Sequence, residues 1–268
     1  MEGAPKLCVR VLVHAETALS RQEVKHVYLH GARVLRPELA PSSASDRKLC
    51  IAIDGPAGAG KSTVARNLAE ELNLRYLDTG AMYRALTWQA LVKGIDLQDE
   101  SALTKLLEAS RFALEGASLL TLNGEPLGEE IRSPQVNDAV SRVAQVSAVR
   151  QVMVRKQQEI AETCGIVMEG RDIGTEVMPT APIKIFLVAD HAERARRRQL
   201  EMQSQGHAAL LTEVAEQIKA RDDKDSTRAA SPLRKAPDAV TIDCTFLSPA
   251  EVVQAILRLV WQEAHARI

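Results

Sequence analysis

The sequence predicts an α/β fold in which a parallel sheet is covered by helices on both faces. Three observations predict it. Short, β-branched strand candidates alternate with helical segments through most of the chain. Each strand candidate reads as buried, as in a parallel sheet between two helix layers. The stretch IAIDGPAGAGKST, Ile51 to Thr63, runs from a strand through a glycine-rich turn into a helix.

The bulk composition bounds the class of protein. With 268 residues, the chain has room for one large domain or two small ones. Its 34 basic and 35 acidic residues nearly cancel, which gives no case for nucleic acid or an anionic membrane as partner. No apolar run approaches the roughly 20 residues that span a bilayer. The four cysteines are widely spaced, which disfavours a metal clip or a disulfide framework. We therefore expect a cytoplasmic monomer.

The first element in chain order is a short N-terminal piece. A strand is predicted over Val9–Val13, and the proline- and serine-rich stretch Arg36–Lys48 is typical of a linker. We therefore divide the chain into an N-terminal extension, residues 1–46, and a body, residues 47–268.

The body carries the alternating elements. Its predicted strands are Cys50–Asp54, the stretch LRYLDTG, Gly165–Gly170, Ile183–Ala189 and Ala239–Cys244. Helices are predicted over STVARNLAEEL, over AMYRALTWQALVKG and from SPAEVVQAILRLV onward, where Ser248 is the expected cap and Pro249 lies in the first turn.

One segment interrupts this alternation. Residues Arg111–Ser133 have period-two patterning and an Asn123-Gly124 turn, which predict a small antiparallel hairpin. We expect an insert over about residues 100–147, at the rim of the sheet, that covers a substrate.

The glycine-rich turn is a full match to G-x-x-x-x-G-K-[ST]. Glycines let the backbone curl so that successive N–H groups face phosphate oxygens, and the next helix presents its positive end to the same anion. The lysine adds charge on the β- and γ-phosphates, and the hydroxyl can ligate Mg²⁺. The predicted ATP-binding residues are Gly55, Pro56, Ala57, Gly58, Ala59, Gly60, Lys61, Ser62 and Thr63.

This loop alone does not name a reaction, because GTPases, motors and small-molecule kinases share it. No guanine-reading Asn-Lys-x-Asp motif and no LSGGQ-like signature occur. The chain concentrates arginines instead, in ERARRR, EGRDIGT and RDDKDSTR. Guanidinium groups suit phosphoryl transfer between two nucleotides, where several negative charges meet. ERARRR could equally be a solvated helix face, whereas EGRDIGT directly ends an apolar strand, where ligands sit in an open parallel sheet.

The body resembles the bacterial cytidylate kinase family over about Leu49 to Val260. The motifs that carry the resemblance are GPAGAGKST, LDTGAMYR, SRVAQVSAVR, EGRDIGT and RDDKDSTR, in the family's order. It implies a P-loop nucleoside-monophosphate kinase fold, with the antiparallel insert and a lid over about residues 191–210. It also implies that ATP phosphorylates CMP and dCMP with Mg²⁺.

The resemblance also implies roles for individual residues. Base reading falls on Ser141, Arg150 and Asp172: the arginine can donate to cytosine N3 and O2, and the two oxygens can accept from the N4 amine. Uracil reverses the polarity at N3 and at position 4, which would leave buried groups unpaired at about 1–3 kcal/mol each.

The remaining implied residues surround the two nucleotides. Arg84 and Arg171 hold the CMP phosphate, and Arg221 and Asp225 contact the ribose. Arg228 makes a further sugar-phosphate contact, and Thr79 and Tyr83 line the pocket. Ser62 and Glu169 lie near Mg²⁺, and the lid carries Arg194, Arg197 and Arg198. The implied catalytic residues are Lys61, Arg84, Arg171 and Asp172. Family members often have Asp where this chain has Glu169. No general base is needed, because a CMP phosphate oxygen is already anionic.

The N-terminal piece Leu7–Leu39 resembles the C-terminal segment of the trimeric type of chorismate mutase. The matching stretches are CVRV, HVYL and LRPEL, and the implied site residues are Cys8, Arg10 and Tyr28. About 35 residues cannot close a core. We interpret the piece as an inactive fusion remnant; the alternative is a leader with chance similarity.

Three functions remain open from the sequence. CMP/dCMP kinase leads, and a kinase that also accepts UMP is the nearest enzyme alternative. A P-loop regulator that binds ATP without turnover belongs to another class, and the residues around Arg150 and Asp172 argue against it.

Overall fold

The structure of the protein is a computed structural model. It describes residues 49–163, 165–204, 206 and 208–265 in full, and the backbone of residues 7–12 and 25–29. The predicted linker Arg36–Lys48 and the side chains of Cys8, Arg10 and Tyr28 lie outside the described residues.

The strands are numbered in chain order. They are β1 (Leu7–Leu12), β2 (Lys25–Leu29), β3 (Cys50–Asp54), β4 (Arg75–Asp78), β5 (Phe112–Glu115), β6 (Leu119–Leu122), β7 (Glu125–Pro126), β8 (Ile166–Gly170), β9 (Ile183–Val188) and β10 (Val240–Asp243).

The helices follow the same order. They are α1 (Lys61–Glu71), α2 (Thr79–Val92), α3 (Glu100–Ala109), α4 (Pro134–Val143), α5 (Ser147–Glu162), α6 (His191–Ser204), α7 (Leu211–Thr227) and α8 (Pro249–His265). A 3₁₀ turn covers Glu129–Arg132, and a π-helical turn covers Ile173–Val177.

The main sheet has the order β2-β1-β10-β9-β3-β8-β4. The pairs from β10 to β4 are all parallel. This parallel sheet confirms the predicted fold class, and all five strands predicted for the body are present. Since parallel neighbours need a crossover, the helices between them cover the two faces.

Side chains alternate between the two faces of the central strands, and both faces are buried. On β3, Ile51 and Ile53 pack with α1 and α8, whereas Ala52 faces the core on the other side. On β8, Val167 lies in the same core as Ile51 and Ile53, and Met168 lies in the same core as Ala52. Both cores are mainly aliphatic, as expected for a chain in which only 3% of residues are aromatic.

Two strands of the N-terminal extension, β1 and β2, continue the main sheet. β1 pairs antiparallel with β2, and also antiparallel with β10 through Val11↔Ile242 and Leu12↔Thr241. The strand predicted over Val9–Val13 therefore begins two residues earlier and ends one residue earlier, and it lies next to β10 of the body.

The insert contains three antiparallel strands rather than a single hairpin. The Asn123-Gly124 turn is present, with φ of 56° and 88°, but it joins β6 to the two-residue β7. The longer pair, β5 and β6, turns at Gly116, whose φ of 56° is also left-handed. Two left-handed turns close together produce the extra strand.

No helix among the described residues is long and apolar enough to cross a membrane. The carboxyl ends of β3, β4 and β8 meet at one edge of the sheet, which carries Asp54, Asp78 and the residues after Gly170. This edge is where open parallel sheets bind ligands.

Candidate active site

The phosphate loop, Gly55–Thr63, joins β3 to α1. Gly55 has a φ of 150°, and a Cβ there would lie 2.1 Å from the Leu187 carbonyl oxygen. Gly58 has a φ of 73°, and a Cβ there would lie 3.0 Å from the Arg194 carbonyl oxygen. Both positions require glycine, and the loop ends at the N-terminus of α1, where unpaired backbone N–H groups attract an anion.

Lys61 lies at the base of this loop and is buried. Its Nζ donates a 2.7 Å hydrogen bond to the Pro56 carbonyl oxygen. Burial and the nearby Arg171 guanidinium lower the pKa of Lys61 to about 7. Both effects disfavour its charge, so a bound anion at this position would stabilise the ammonium form.

Glu169 lies beside the loop at the end of β8. Its Oε1 accepts a 2.6 Å hydrogen bond from Tyr76 Oη, and its carboxylate also bonds the Ser62 hydroxyl. Its backbone carbonyl accepts from Thr79 Oγ1 at 2.7 Å. Burial and the neighbouring Asp78 raise the pKa of Glu169.

Ser62 and Glu169 present a hydroxyl and a carboxylate, which are oxygen donors of the kind that Mg²⁺ prefers. The described residues contain no group of three His, Cys, Asp or Glu side chains that could hold a metal. Mg²⁺ at nucleotide sites usually takes only one or two protein ligands, together with phosphate oxygens and water. These two residues therefore fit such an ion.

A second cluster, the arginine pocket, consists of Tyr83, Arg150, Asp172 and Arg228. Arg150 Nη2 makes a short ion pair with Asp172 Oδ2, and its Nη1 donates to the Ala144 carbonyl oxygen at 3.1 Å. The Arg150 guanidinium lies 5.3 Å from the centroid of the Tyr83 ring. Arg228 Nη2 is 3.7 Å from Asp172 Oδ1, beyond hydrogen-bond distance.

This pocket collects polar atoms that have no protein partner. Among the described residues, three of the buried side-chain atoms without a hydrogen bond are Tyr83 Oη, Arg150 Nε and Arg228 Nη2, and Arg84 Nε is a fourth. Buried polar groups in folded proteins are nearly always hydrogen-bonded. Several unpaired atoms in one pocket therefore indicate a polar ligand.

An ion pair between Arg171, which follows β8, and Asp225, on α7, adjoins the pocket, since Asp225 Oδ1 lies 3.7 Å from Arg228 Nη1. Arg171 Nε donates to Asp225 Oδ2 at 2.8 Å. Burial opposes ionisation of Asp225, but the Arg171 and Arg221 guanidinium groups outweigh it and lower its pKa. Asp225 is therefore a carboxylate at neutral pH and can accept hydrogen bonds.

The other predicted residues lie around this cluster. Arg84, on α2, donates from Nη2 to Asp78 Oδ2 at 2.6 Å. Ser141 is half-buried on α4, and Arg221 is exposed on α7. Buried Thr79 begins α2.

The predicted lid arginines point to three different environments. Arg194 is buried against the phosphate loop, where Nη1 donates to the Ala57 carbonyl oxygen at 2.9 Å. Arg197 Nη2 donates to the Cys244 carbonyl oxygen at 2.7 Å. Arg198 pairs with Glu201 on the surface at 2.7 Å, three residues along α6. The solvated-face alternative thus describes Arg198 and does not describe Arg194.

The sequence reasoning missed three acidic or phenolic side chains that support the site. Asp54 ends β3 and accepts hydrogen bonds of 2.8 Å from the backbone N–H groups of Ile173 and Gly174. Burial raises the pKa of Asp54 to about 6. Asp78 orients Arg84, and Tyr76 orients Glu169. For the two aspartates the available signal was an acidic residue at the end of a buried strand.

Two family models match the chain. The model described as cytidylate kinase matches residues 51–262, and the model described as chorismate mutase type I matches residues 1–39.

The chain is also similar to complete and to bifunctional proteins. A cytidylate kinase of Bacillus licheniformis is 49% identical over 223 residues, which cover 82% of this chain and 99% of that protein. A cytidylate kinase of Geobacillus kaustophilus is 50% identical over 80% of this chain and 97% of that protein. A bifunctional pantoate ligase/cytidylate kinase of a Synechococcus strain is 50% identical over 225 residues, but the match spans only 42% of its length.

Proposed function

The chain belongs to the cytidylate kinase family, and on that premise we propose that it transfers the γ-phosphoryl group of ATP to CMP and dCMP, giving CDP and dCDP. The observation that carries this proposal is the arginine pocket. It places unpaired donors and a carboxylate beside a phosphate loop on the same edge of one sheet. Two nucleotides bound there would bring their phosphates together near Lys61.

The donor side acts through charge and position. The N–H groups of the phosphate loop and the start of α1 cradle the ATP phosphates, and Lys61 stabilises charge on the group in transfer. Ser62 and Glu169 would hold Mg²⁺, which supplies charge neutralisation between the phosphates when bound. Tyr76 donates to Glu169 Oε1 and so orients the carboxylate.

The acceptor side selects cytosine. Arg150 Nε has no hydrogen-bond partner, and Asp172 Oδ1 is 3.7 Å from Arg228 Nη2. Both atoms can therefore form hydrogen bonds with a bound base. The arginine donates to N3 and O2, and Asp172 and Ser141 accept from the N4 amine. Uracil has a donor at N3 and an acceptor at position 4, which face the wrong groups.

The sugar and phosphate of CMP are held by charged groups around the pocket. Arg84 and Arg171 hold the phosphate, while Asp225, Arg221 and Arg228 contact the ribose side. The Arg171–Asp225 bond of 2.8 Å keeps the phosphate-binding and ribose-binding groups in fixed relation. The acceptor oxygen is already anionic, so positioning and charge neutralisation carry the rate without a general base.

A coupled assay of ADP release tests this function with CMP, dCMP, UMP and AMP as acceptors. We expect CMP and dCMP to have the highest kcat/KM. Comparable values for CMP and UMP would favour the broader pyrimidine kinase, and ATP binding without turnover of any acceptor would favour the regulator.

We also propose that residues 1–46 form a fusion remnant without mutase activity, and that residues 47–268 are the kinase domain, with its insert over about 100–147 and its lid over about 191–210. The full chain should not convert chorismate to prephenate, because a match of 39 residues holds only part of such a site. We further propose that the protein is a cytoplasmic monomer whose partners are small nucleotides; its net charge of −1 gives no case for a nucleic-acid partner. Sedimentation velocity of the full chain tests the oligomeric state.

A further inference from the structure

Charged side chains of α6 and α7 bind both backbone polar groups of Ala57, in the phosphate loop. The Ala57 N–H donates to Asp222 Oδ1 at 2.9 Å, and the Ala57 carbonyl oxygen accepts from Arg194 Nη1 at 2.9 Å. Arg194 and Asp222 also form a short ion pair with each other. We call these three residues the Ala57 clamp.

The Ala57 clamp is mostly buried: the Arg194 and Asp222 side chains are 10% and 17% exposed. A small apolar cluster, formed by Ala57, Ala195, Val214 and Ile218, joins the loop to both helices. Charge pairs are screened little in such a setting, and breaking one partner of a buried pair costs more than losing a surface pair.

Arg194 is therefore committed to the protein itself. Besides Ala57 and Asp222, it donates from Nε to the Ala189 carbonyl oxygen at 3.1 Å. Its backbone carbonyl would lie 3.0 Å from a Cβ at Gly58, so the start of α6 rests directly on the loop. A side chain with these partners cannot also reach a nucleotide without giving them up.

Asp222 connects the phosphate loop to the arginine pocket. It lies on α7 one turn before Asp225, which binds Arg171, and α7 is followed directly by Arg228, which lies 3.7 Å from Asp172. Residues three apart in a helix share a side, so one rigid helix contacts both regions. A shift of α7 on the acceptor side must move the carboxylate that holds Ala57.

We propose that Arg194 and Asp222 are positioning residues that hold the phosphate loop through Ala57 and couple ATP binding to occupancy of the arginine pocket. The proposal rests on the proposed function, in which CMP occupies that pocket. CMP bound to Asp225 and Arg228 holds α7 in place, α7 holds Ala57, and the loop is thereby ready for the ATP phosphates. By linkage, ATP strengthens CMP binding by the same factor.

The test is calorimetric titration of the full chain with the non-hydrolysable ATP analogue AMP-PNP and Mg²⁺, with and without CMP. Asp222→Ala should weaken AMP-PNP binding by about 5-fold or more and remove the strengthening by CMP. Its affinity for CMP alone should stay within about 2-fold of wild type. The matched control is Asp223→Ala, since that neighbouring carboxylate pairs with Lys219 at 2.8 Å on the exposed side of the same helix. The control should leave all three quantities unchanged.

Two conservative variants protect the test against misfolding. Asp222→Asn keeps an acceptor for the Ala57 N–H but loses the charge, and Arg194→Lys keeps a charge but loses the forked geometry. Both should fold and give intermediate losses of AMP-PNP affinity and of coupling. Equal weakening of AMP-PNP and CMP in these variants would indicate general destabilisation and overturn the proposal.

The other outcomes separate the clamp from the proposed function. A wild-type protein that binds AMP-PNP with no effect of CMP would refute the coupling. A protein that binds no CMP would refute the proposed function, whereas the difference in AMP-PNP affinity between Asp222→Ala and Asp223→Ala would still decide whether the clamp holds the loop. Equal AMP-PNP affinities in those two variants would refute the clamp.

Discussion

The phosphate loop and the arginine pocket lie at the same edge of the sheet but are built in opposite ways. The loop is one continuous stretch whose shape depends on glycines that no other residue can replace, such as Gly55. The pocket is assembled from α2, α5, the turn after β8, and the end of α7. Its shape depends on charge pairs, above all Arg150 with Asp172 and Arg171 with Asp225.

Because of this difference, the two regions recognise different parts of a nucleotide. The loop offers backbone N–H groups and one lysine, which recognise any polyphosphate and carry no information about the base. The pocket leaves Tyr83 Oη, Arg150 Nε and Arg228 Nη2 without partners, at a cost in folding free energy that a matching base can offset. We therefore expect substitutions in the pocket to change the preference for CMP over UMP, and substitutions in the loop to change the rate of phosphoryl transfer.

The largest effect on activity is expected from a substitution in the phosphate loop. Lys61→Ala should lower turnover with CMP by about 10³-fold, since it removes a charge that acts on the group in transfer. The fold should survive, because the glycines set the backbone of the loop and the Lys61 side chain adds one hydrogen bond to it, to the Pro56 carbonyl oxygen. Steady-state ADP release and circular dichroism measure the two effects. A variant with intact circular dichroism and near-wild-type turnover would refute the assignment of Lys61.

A second change affects the point where the two regions meet. Asp54 ends the strand before the loop and holds Ile173 and Gly174 of the pocket's turn. Burial raises its pKa from 3.8 to about 6, so between these pH values the folded state binds more protons than the unfolded state. This group's contribution to stability therefore falls as pH rises through that window, by on the order of 2–3 kcal/mol.

Asn at position 54 does not titrate. Relative to Asp54→Asn, the wild-type free energy of unfolding should therefore decline between about pH 4 and pH 6 and level off above it. Urea unfolding at a series of pH values gives both curves. A difference between them that is constant with pH would show that Asp54 does not titrate in this range.

The next change alters selectivity in the pocket. Asp172→Asn should lower kcat/KM for CMP by about 10-fold or more, or about 1.4 kcal/mol, and narrow the gap between CMP and UMP. The amide replaces an acceptor by a donor where the N4 amine is expected. Glu176→Gln is the control, because that carboxylate pairs with Arg234 at the surface. Equal losses for CMP and UMP would assign Asp172 to catalysis or folding instead of base reading.

The smallest effect is expected from a region outside both sites. A chain that begins at Arg47 should keep its kcat and KM for CMP within about twofold, because β1, as far as the structure describes it, pairs with the β10 edge through Val11↔Ile242 and Leu12↔Thr241, away from both sites. Kinetics of the shortened and full chains make the comparison. Loss of soluble protein on shortening would instead mean that β10 needs β1 as a neighbour.

The fold class, the phosphate loop and the positions of most helices and strands could be predicted from the sequence alone. Local information suffices there, since buried strands such as Cys50–Asp54 have a short apolar signature and the loop needs glycine at particular backbone angles. The insert was predicted as one hairpin and has three strands, because the Asn123-Gly124 signal marks a turn without saying which strands it joins.

The contacts of the arginines were decided only by the tertiary structure. Arg194, Arg197 and Arg198 lie within five residues in sequence, yet one is buried against Ala57, one binds the carbonyl of Cys244 and one pairs with Glu201 in solvent. Neighbours on a helix point in different directions, and each partner comes from a distant part of the chain. The same reason hid Asp54 and Tyr76, whose hydrogen-bond partners are 119 and 93 residues away. A sequence pattern reports which residue types are present, whereas the pairing of long charged side chains depends on which elements the folded sheet brings together.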